Sequence, residues 1–252
     1  MVQQDVDLSV IVACYNEEEV LANNLKKITD ILDKSHFKYE IVLVDDFSTD
    51  KTVEIAKEIV RTRENIRLIC HDTNMGRGKA VEDGIVAARG HIAGFLDIDL
   101  KVPAHYITPL AIEIEKGADV ATAARVYSIR LHILDRIIAS KTYRLLFAIF
   151  LKTGIKDSET GYKFFRRERI IPIFDEIKDK HWFWDTEVMV RSYLKGYAIV
   201  EVPCLCRRHD VKKSTVKLFR DSVRHFINLI KFKSEVDMIR KKCKVSKIKE
   251  YD

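Results

Sequence analysis

Leu8 to Ala13 is an almost unbroken apolar run rich in β-branched residues, ending at Tyr15-Asn16 before the acidic triplet Glu17-Glu18-Glu19. Continuous apolarity over so few residues predicts a strand buried on both faces, and the acidic triplet predicts the start of a helix. Similar strands are expected at Glu40 to Val44, Ile66 to Cys70 and Ile92 to Leu96. Helical periodicity separates them at residues 50–63 and 78–89, with N-cap chemistry for the former at Ser48 to Asp50. Strands alternating with helices predict an α/β fold whose central sheet is mostly parallel, with right-handed crossovers.

Beyond Pro103 the pattern predicts a helix to Lys116, a strand over Asp119 to Arg125, a long mixed segment from Ile129 to Lys152, a helix from Trp182 to Lys195 and a strand over Ala198 to Val202. The last forty residues alternate Lys and Arg with Leu, Ile, Val and Phe and are expected to be helical. No repeat or low-complexity linker interrupts the chain. The expected organisation is one domain over residues 1–220, with a nucleotide-binding half over 1–126, an acceptor half over 127–220, and a basic helical tail over 221–252.

The strand ends carry the chemistry. Tyr15-Asn16-Glu17 follows the first strand, Asp45-Asp46 the second, residues 74–79 (Asn-Met-Gly-Arg-Gly-Lys) the third and Asp97-Ile98-Asp99 the fourth. Parallel strands deliver their C-terminal ends to one edge, where open α/β sheets bind ligands. Two carboxylates one residue apart at a strand end suit Mg²⁺ or Mn²⁺, which prefer hard oxygen ligands and share them with a diphosphate. Residues 74–79 lack the Walker spacing and do not follow the first strand as a dinucleotide fingerprint does.

Composition narrows this only partly. With 47% hydrophobic residues, nine Gly and four Pro in 252 residues, the chain can build one sizeable core. Its net charge of +6 suits anionic partners without choosing among them. Five cysteines without a CxxC pair predict reduced structural thiols and a cytoplasmic setting. No signal peptide is expected, because Asp5 and Asp7 stand where a basic region belongs. The longest apolar run, Leu145 to Leu151, falls far short of the roughly 20 residues a spanning helix needs. Membrane contact is therefore expected to be peripheral, on the cytoplasmic face, or through a membrane-protein partner. Residues 127–152, where Ile133, Leu134, Ile137 and Ile138 recur among Arg130, Arg136 and Lys141, suit either an interfacial amphipathic helix or one packed on its own domain. Nothing in the basic tail matches a nucleic-acid recognition motif, and no nucleic-acid partner is expected.

Taken in order, Ser9 to Glu17, Val44 to Thr52, Asn74 to Ala80 and Asp97-Ile98-Asp99 resemble the family 2 glycosyltransferases with the GT-A nucleotide-diphosphosugar fold. Thr160-Gly161-Tyr162-Lys163-Phe164-Phe165, Trp184-Asp185-Thr186-Glu187 and Glu201-Val202-Pro203 are similar to the synthases that glycosylate dolichyl or other polyprenyl phosphates. The resemblance implies inverting hexose transfer from a GDP- or UDP-linked sugar, GDP-mannose or UDP-glucose, to such a lipid phosphate. It implies that Ala13, Tyr15 and Glu17 border the nucleotide, that Asp46 accepts a hydrogen bond from the base, and that Asp97 and Asp99 hold Mg²⁺ or Mn²⁺. Arg77 and Lys79 are expected to neutralise diphosphate charge, with Arg125 and Arg208 near it. Ser214, Lys217 and Trp184 fall toward the acceptor, although Lys212 and Thr215 depart from the synthases' pattern around Ser214. Lys101, where some relatives carry a polar metal neighbour, has no lone pair to offer.

A lipid phosphate is already anionic, whereas an alcohol acceptor needs a base, for which Asp157, Glu159, Asp185 and Glu187 are candidates. A saccharide or other hydroxyl acceptor remains an alternative. More distant readings are a non-catalytic protein of the same fold and a haloacid-dehalogenase-like phosphatase, whose D-x-D normally sits on the first strand.

Overall fold

A computed structural model describes residues 6–127, 145–206 and 218–248. The first four strands are β1 (Leu8–Cys14), β2 (Tyr39–Asp45), β3 (Ile66–Cys70) and β4 (Ile92–Leu96). All run parallel, with β1 paired to both β2 and β4 and β2 to β3. Three helices connect them, α1 (Leu21–Leu32), α2 (Thr52–Thr62) and α3 (Arg77–Ala87). The acidic triplet precedes α1 and does not open it. The Glu17 carbonyl accepts the amides of Val20 and Leu21, and Thr52 Oγ1 accepts the Glu17 amide at 2.7 Å, so these residues form a turn instead.

Alternation along each strand sorts side chains between two layers. Leu8, Val10 and Val12 of β1 and Ile41 and Leu43 of β2 join the apolar face of α1, built from Leu21, Leu25, Ile28 and Leu32. Helix α4 (Ile107–Glu115) adds Ile107, Leu110 and Ile114 to that core. On the other face α3 approaches closely at Gly84, where a Cβ would meet Ile11 and Val44.

The second half of the sheet differs from a simple parallel array. Strand β5 (Val120–Tyr127) pairs parallel with β7 (Ile199–Cys206). Between β4 and β5 lies β6 (Tyr162–Arg166), antiparallel to both, giving the order β3-β2-β1-β4-β6-β5-β7. The sheet is therefore mixed but mostly parallel. Helix α5 (Trp184–Leu194) precedes β7, and α6 (Leu218–Ile248) carries the basic C-terminal sequence.

Two compact units emerge: Met1–Ser128 with Asp157–Arg208, which holds the whole sheet, and Ile129–Lys156 with His209–Asp252. The second includes helical residues 145–151 and α6. Among the described residues no helix is long and apolar enough to cross a membrane. Cys14, Cys70, Cys204 and Cys206 are free thiols, and burial raises the Cys204 thiol to about 12.

One buried acid stitches the sheet on its α3 side. Glu40 of β2 accepts hydrogen bonds from Ser9 Oγ at 2.8 Å, Arg67 Nε at 2.9 Å and the Arg89 amide at 2.7 Å, while Ser9 Oγ accepts the Gly90 amide at 2.9 Å. Burial pushes the Glu40 carboxyl up, but Arg67, Ser9 and the Arg89 amide outweigh it and hold it below the usual range. A carboxylate lowered on folding stabilises the protein above its unfolded-state value and loses that contribution as pH falls through the folded one. Glu40→Gln should cost about 1–3 kcal/mol near neutral pH, and should flatten the loss of stability that the wild type shows below its ordinary value of 4.5. Urea denaturation over a pH series reads both effects.

Candidate functional site

The parallel strands bring the acidic residues to one rim. Cys14 of β1 stands beside Asp45 of β2, and the next residue, Asp46, donates its amide to the Cys14 carbonyl at 2.9 Å. The Asp46 carboxylate is buried and organises the loop before α3. It accepts the amides of Met75 at 2.8 Å and Gly76 at 2.9 Å, and it lies 2.8 Å from His71 Nδ1. His71 Nε2 in turn lies 3.2 Å from Asp83. Gly76 (φ +97°) is required here, because its conformation is left-handed and a Cβ would strike His181 and the Lys180 carbonyl. Gly78 packs against Trp184 in the same way.

That loop launches Arg77 across the site. Its Nε and Nη2 donate to Asp97 Oδ1 at 2.9 and 2.6 Å, and its Nη1 donates to Asp185 Oδ2 at 2.6 Å. The guanidinium lies over Phe95 and Trp182, at 5.4 and 5.2 Å from their ring centroids. Asp185 is also 2.7 Å from Lys163 Nζ, and Lys163, wholly buried, additionally donates to the Thr160 carbonyl. Burial pushes the Lys163 ammonium below the usual lysine range, with Asp185 opposing it.

Asp97 lies where β4 meets β6. Its amide donates to the Gly161 carbonyl at 3.0 Å, and a Cβ on Gly161 would collide with Asp97 Oδ2 and Arg77 Nη2. The Asp97 side chain keeps 43% of its surface open, yet the surrounding protein pushes its carboxyl above the ordinary range. Arg77 opposes that shift, and Asp99 and Asp185 add to it. Asp99, 34% exposed, is contacted by the Lys101 ammonium, so a cation binding there displaces Lys101. Among the described residues no group of three or more His, Cys, Asp or Glu converges on one point. Asp97 and Asp99 offer hard carboxylate oxygens one residue apart, the donor chemistry of a cation that completes its shell from a substrate diphosphate and water. A divalent charge would also offset the repulsion that Asp99 and Asp185 add to the effect of burial on Asp97.

The remaining predicted residues fall in several places. Ala13 and Glu17 are half-buried and Tyr15 is 44% exposed. Lys79 pairs with Asp83 and Glu82 of its own helix. Arg125 forms a two-pronged pair with Asp157, both contacts at 2.7 Å. Glu187 accepts the amides of Lys178 and Asp179 and pairs with Arg191. Trp184 is wholly buried between Phe95 and Phe174, so it has no surface to offer an acceptor. The nearby Trp182 is 44% exposed. Arg208, Ser214 and Lys217 lie outside the described residues.

The family model of glycosyl transferase family 2 matches residues 9–174, spanning β1 through β6 and the D-x-D. The chain belongs to glycosyl transferase family 2. Among curated relatives, glycosyltransferase AglD of Haloferax volcanii is 31% identical over 205 residues, covering 79% of this chain but only 32% of AglD. The chain thus spans about a third of that relative's length. Dolichyl-phosphate beta-glucosyltransferase of Saccharomyces cerevisiae is 28% identical over 249 residues, covering 90% of this chain and 74% of the relative. The solved glucosyl-3-phosphoglycerate synthase of Mycobacterium tuberculosis with UDP superposes with a TM-score of 0.70 at 17% identity, covering 91% of this chain and 80% of that one. This likeness confirms the GT-A fold.

Sequence reasoning quoted Gly161 and Lys163 only as part of a family-like run, without a role for either, and overlooked His71. A lysine inside the apolar run Tyr162 to Phe165 was a usable signal, since a buried ammonium needs a partner. His71, one residue past β3, had none. Asp46→Ala should remove an acceptor shared by two loop amides and His71, costing about 2–4 kcal/mol in chemical denaturation, whereas Asp46→Asn should lose less. Amide exchange at Met75 and Gly76 should quicken in the alanine variant.

Proposed function

We propose that this glycosyltransferase moves a hexose, with inversion, from a nucleotide sugar to a polyprenyl or dolichyl phosphate, with Mg²⁺ or Mn²⁺ held by Asp97 and Asp99. One observation carries the acceptor assignment. Three of the four candidate bases are engaged by cations: Asp157 by Arg125, Asp185 by Arg77 and Lys163, and Glu187 by Arg191. Carboxylates whose oxygens already face arginine or lysine have little free surface to take a hydroxyl proton, which suits a nucleophile that is already anionic. The curated dolichyl-phosphate beta-glucosyltransferases support the same acceptor class.

In the proposed step an acceptor phosphate oxygen forms a bond to the anomeric carbon as the bond from that carbon to the nucleoside diphosphate breaks. The leaving group carries away the electron pair. The bound cation would supply stabilisation of the charge that develops on the diphosphate. Ala13 and Tyr15 border the nucleotide. Asp46 is assigned to the base: a carboxylate offers about four acceptor positions, and three donors meet it here. Arg208 is assigned to the donor and Ser214 and Lys217 to the acceptor phosphate.

UDP-glucose is the favoured donor, in keeping with the curated glucosyltransferases and with a synthase solved with Mn²⁺ and UDP-glucose. The beta linkage in the relatives' names fits inversion of an α-linked donor. A saccharide hydroxyl acceptor would have to draw its base from outside these three pairs.

With dolichyl phosphate as acceptor, UDP-glucose should outperform GDP-mannose, and excess chelator should stop transfer until Mn²⁺ or Mg²⁺ is restored. Asp99→Asn should lower the rate by about a hundredfold or more while leaving the melting temperature near that of the wild type. Full turnover in chelator would remove the metal from the mechanism, and transfer only to free sugars would replace the acceptor.

A further inference from the structure

We infer that Arg77 is a positioning residue that sets the Asp97 carboxylate by locking it to Asp185, and does not itself grip the donor diphosphate. Position in a glycine-bearing loop suggests a phosphate contact, but the side chain is directed inward. At least three of its five N–H groups are taken by Asp97 and Asp185, and only 13% of the side chain is exposed. Phe95 lies against the guanidinium, and so does the half-open ring of Trp182. A planar guanidinium is suited to this stacked, forked geometry, whereas a lysine offers one mobile point charge.

The anchor is buried and held at both oxygens. Asp185 is 2% exposed, and its second oxygen is held by Lys163, itself fastened to the Thr160 carbonyl. Charges therefore alternate from Lys163 through Asp185 and Arg77 to Asp97. With Oδ1 of Asp97 committed to Arg77, Oδ2 is the oxygen left for a cation, and it lies so close to Gly161 that any side chain there would collide with it. Outer partners that orient a ligand in this way commonly change metal affinity by about ten- to a hundredfold.

The inference rests on the metal-and-donor reading above, and calorimetry separates the two. UDP would be titrated into the wild type, Arg77→Met, Arg77→Lys and Asp185→Asn, with and without MnCl₂, alongside melting temperatures and kcat and KM for UDP-glucose. In Arg77→Met the gain in UDP affinity brought by Mn²⁺ should fall about tenfold or more, with metal-free UDP binding within about twofold of the wild type. Arg77→Lys should recover thermal stability better than it recovers the Mn²⁺-dependent gain. Asp185→Asn, altered beneath the site, should lose that gain as well. If Arg77→Met fails to fold, the lysine and asparagine variants carry the same comparison. An equal loss of UDP affinity with and without Mn²⁺ overturns the inference, because Arg77 would then touch the diphosphate directly; so does an undiminished Mn²⁺-dependent gain. A wild type that gains nothing from Mn²⁺ sinks the functional reading first and this inference with it.

Discussion

The Arg77 guanidinium, held between Asp97 and Asp185, is the interaction on which this site depends. Like charges about 4 Å apart repel by about 4 kcal/mol at the effective dielectric of a protein surface. A rim that gathers Asp97, Asp99 and Asp185 is therefore unstable unless cations are interleaved. Arg77, Lys163 and Lys101 do this, each from a different element: the start of α3, strand β6 and the turn after β4. Taking away one member of such a chain strands its neighbour as an uncompensated charge, which is costlier than never having had the pair.

The same interleaving separates the acids into two kinds. Asp157, Asp185 and Glu187 are nearly inaccessible and satisfied by arginine or lysine. Asp97 and Asp99 keep part of their surface open. Acids of the first kind shape the protein, and those of the second kind remain available to a ligand. On the proposed reading, this division leaves charge stabilisation at the leaving group as the main contribution of the protein, with little need for proton transfer.

How much of this was readable beforehand varied with the distance over which each signal acts. Strands β1 to β4 were legible because their apolar runs are continuous and bounded by polar ends, so the rim could be foreseen from local pattern. Strand β6 was not, since Lys163 breaks the apolar run and the antiparallel partners Gly94 and Ala121 are remote in sequence. The D-x-D was plain. Its tie to Asp185 was hidden, because the intervening arginine and that acid are 108 residues apart. The pairs that Lys79 makes with Glu82 and Asp83 follow from three- and four-residue helical spacing, which its place in a glycine-bearing loop did not announce. Trp184 looked like an acceptor wall, whereas the absence of a side chain at Gly78 lets the ring sink into the core.

Inserting β6 between β4 and β5 has a consequence for how the chain is made. When synthesis has reached Tyr127, the strands β1 to β4 are all present, but the outer edge of β4 has no neighbour and its backbone groups lie unpaired. An open apolar edge of that kind invites mispairing until it is covered. The cover, Tyr162–Arg166, arrives only after more than thirty further residues have been translated, and it also brings Gly161 against Asp97. Covering of the β4 edge and completion of the aspartate turn are thus the same late event in biogenesis, so a nascent chain interrupted before β6 lacks both.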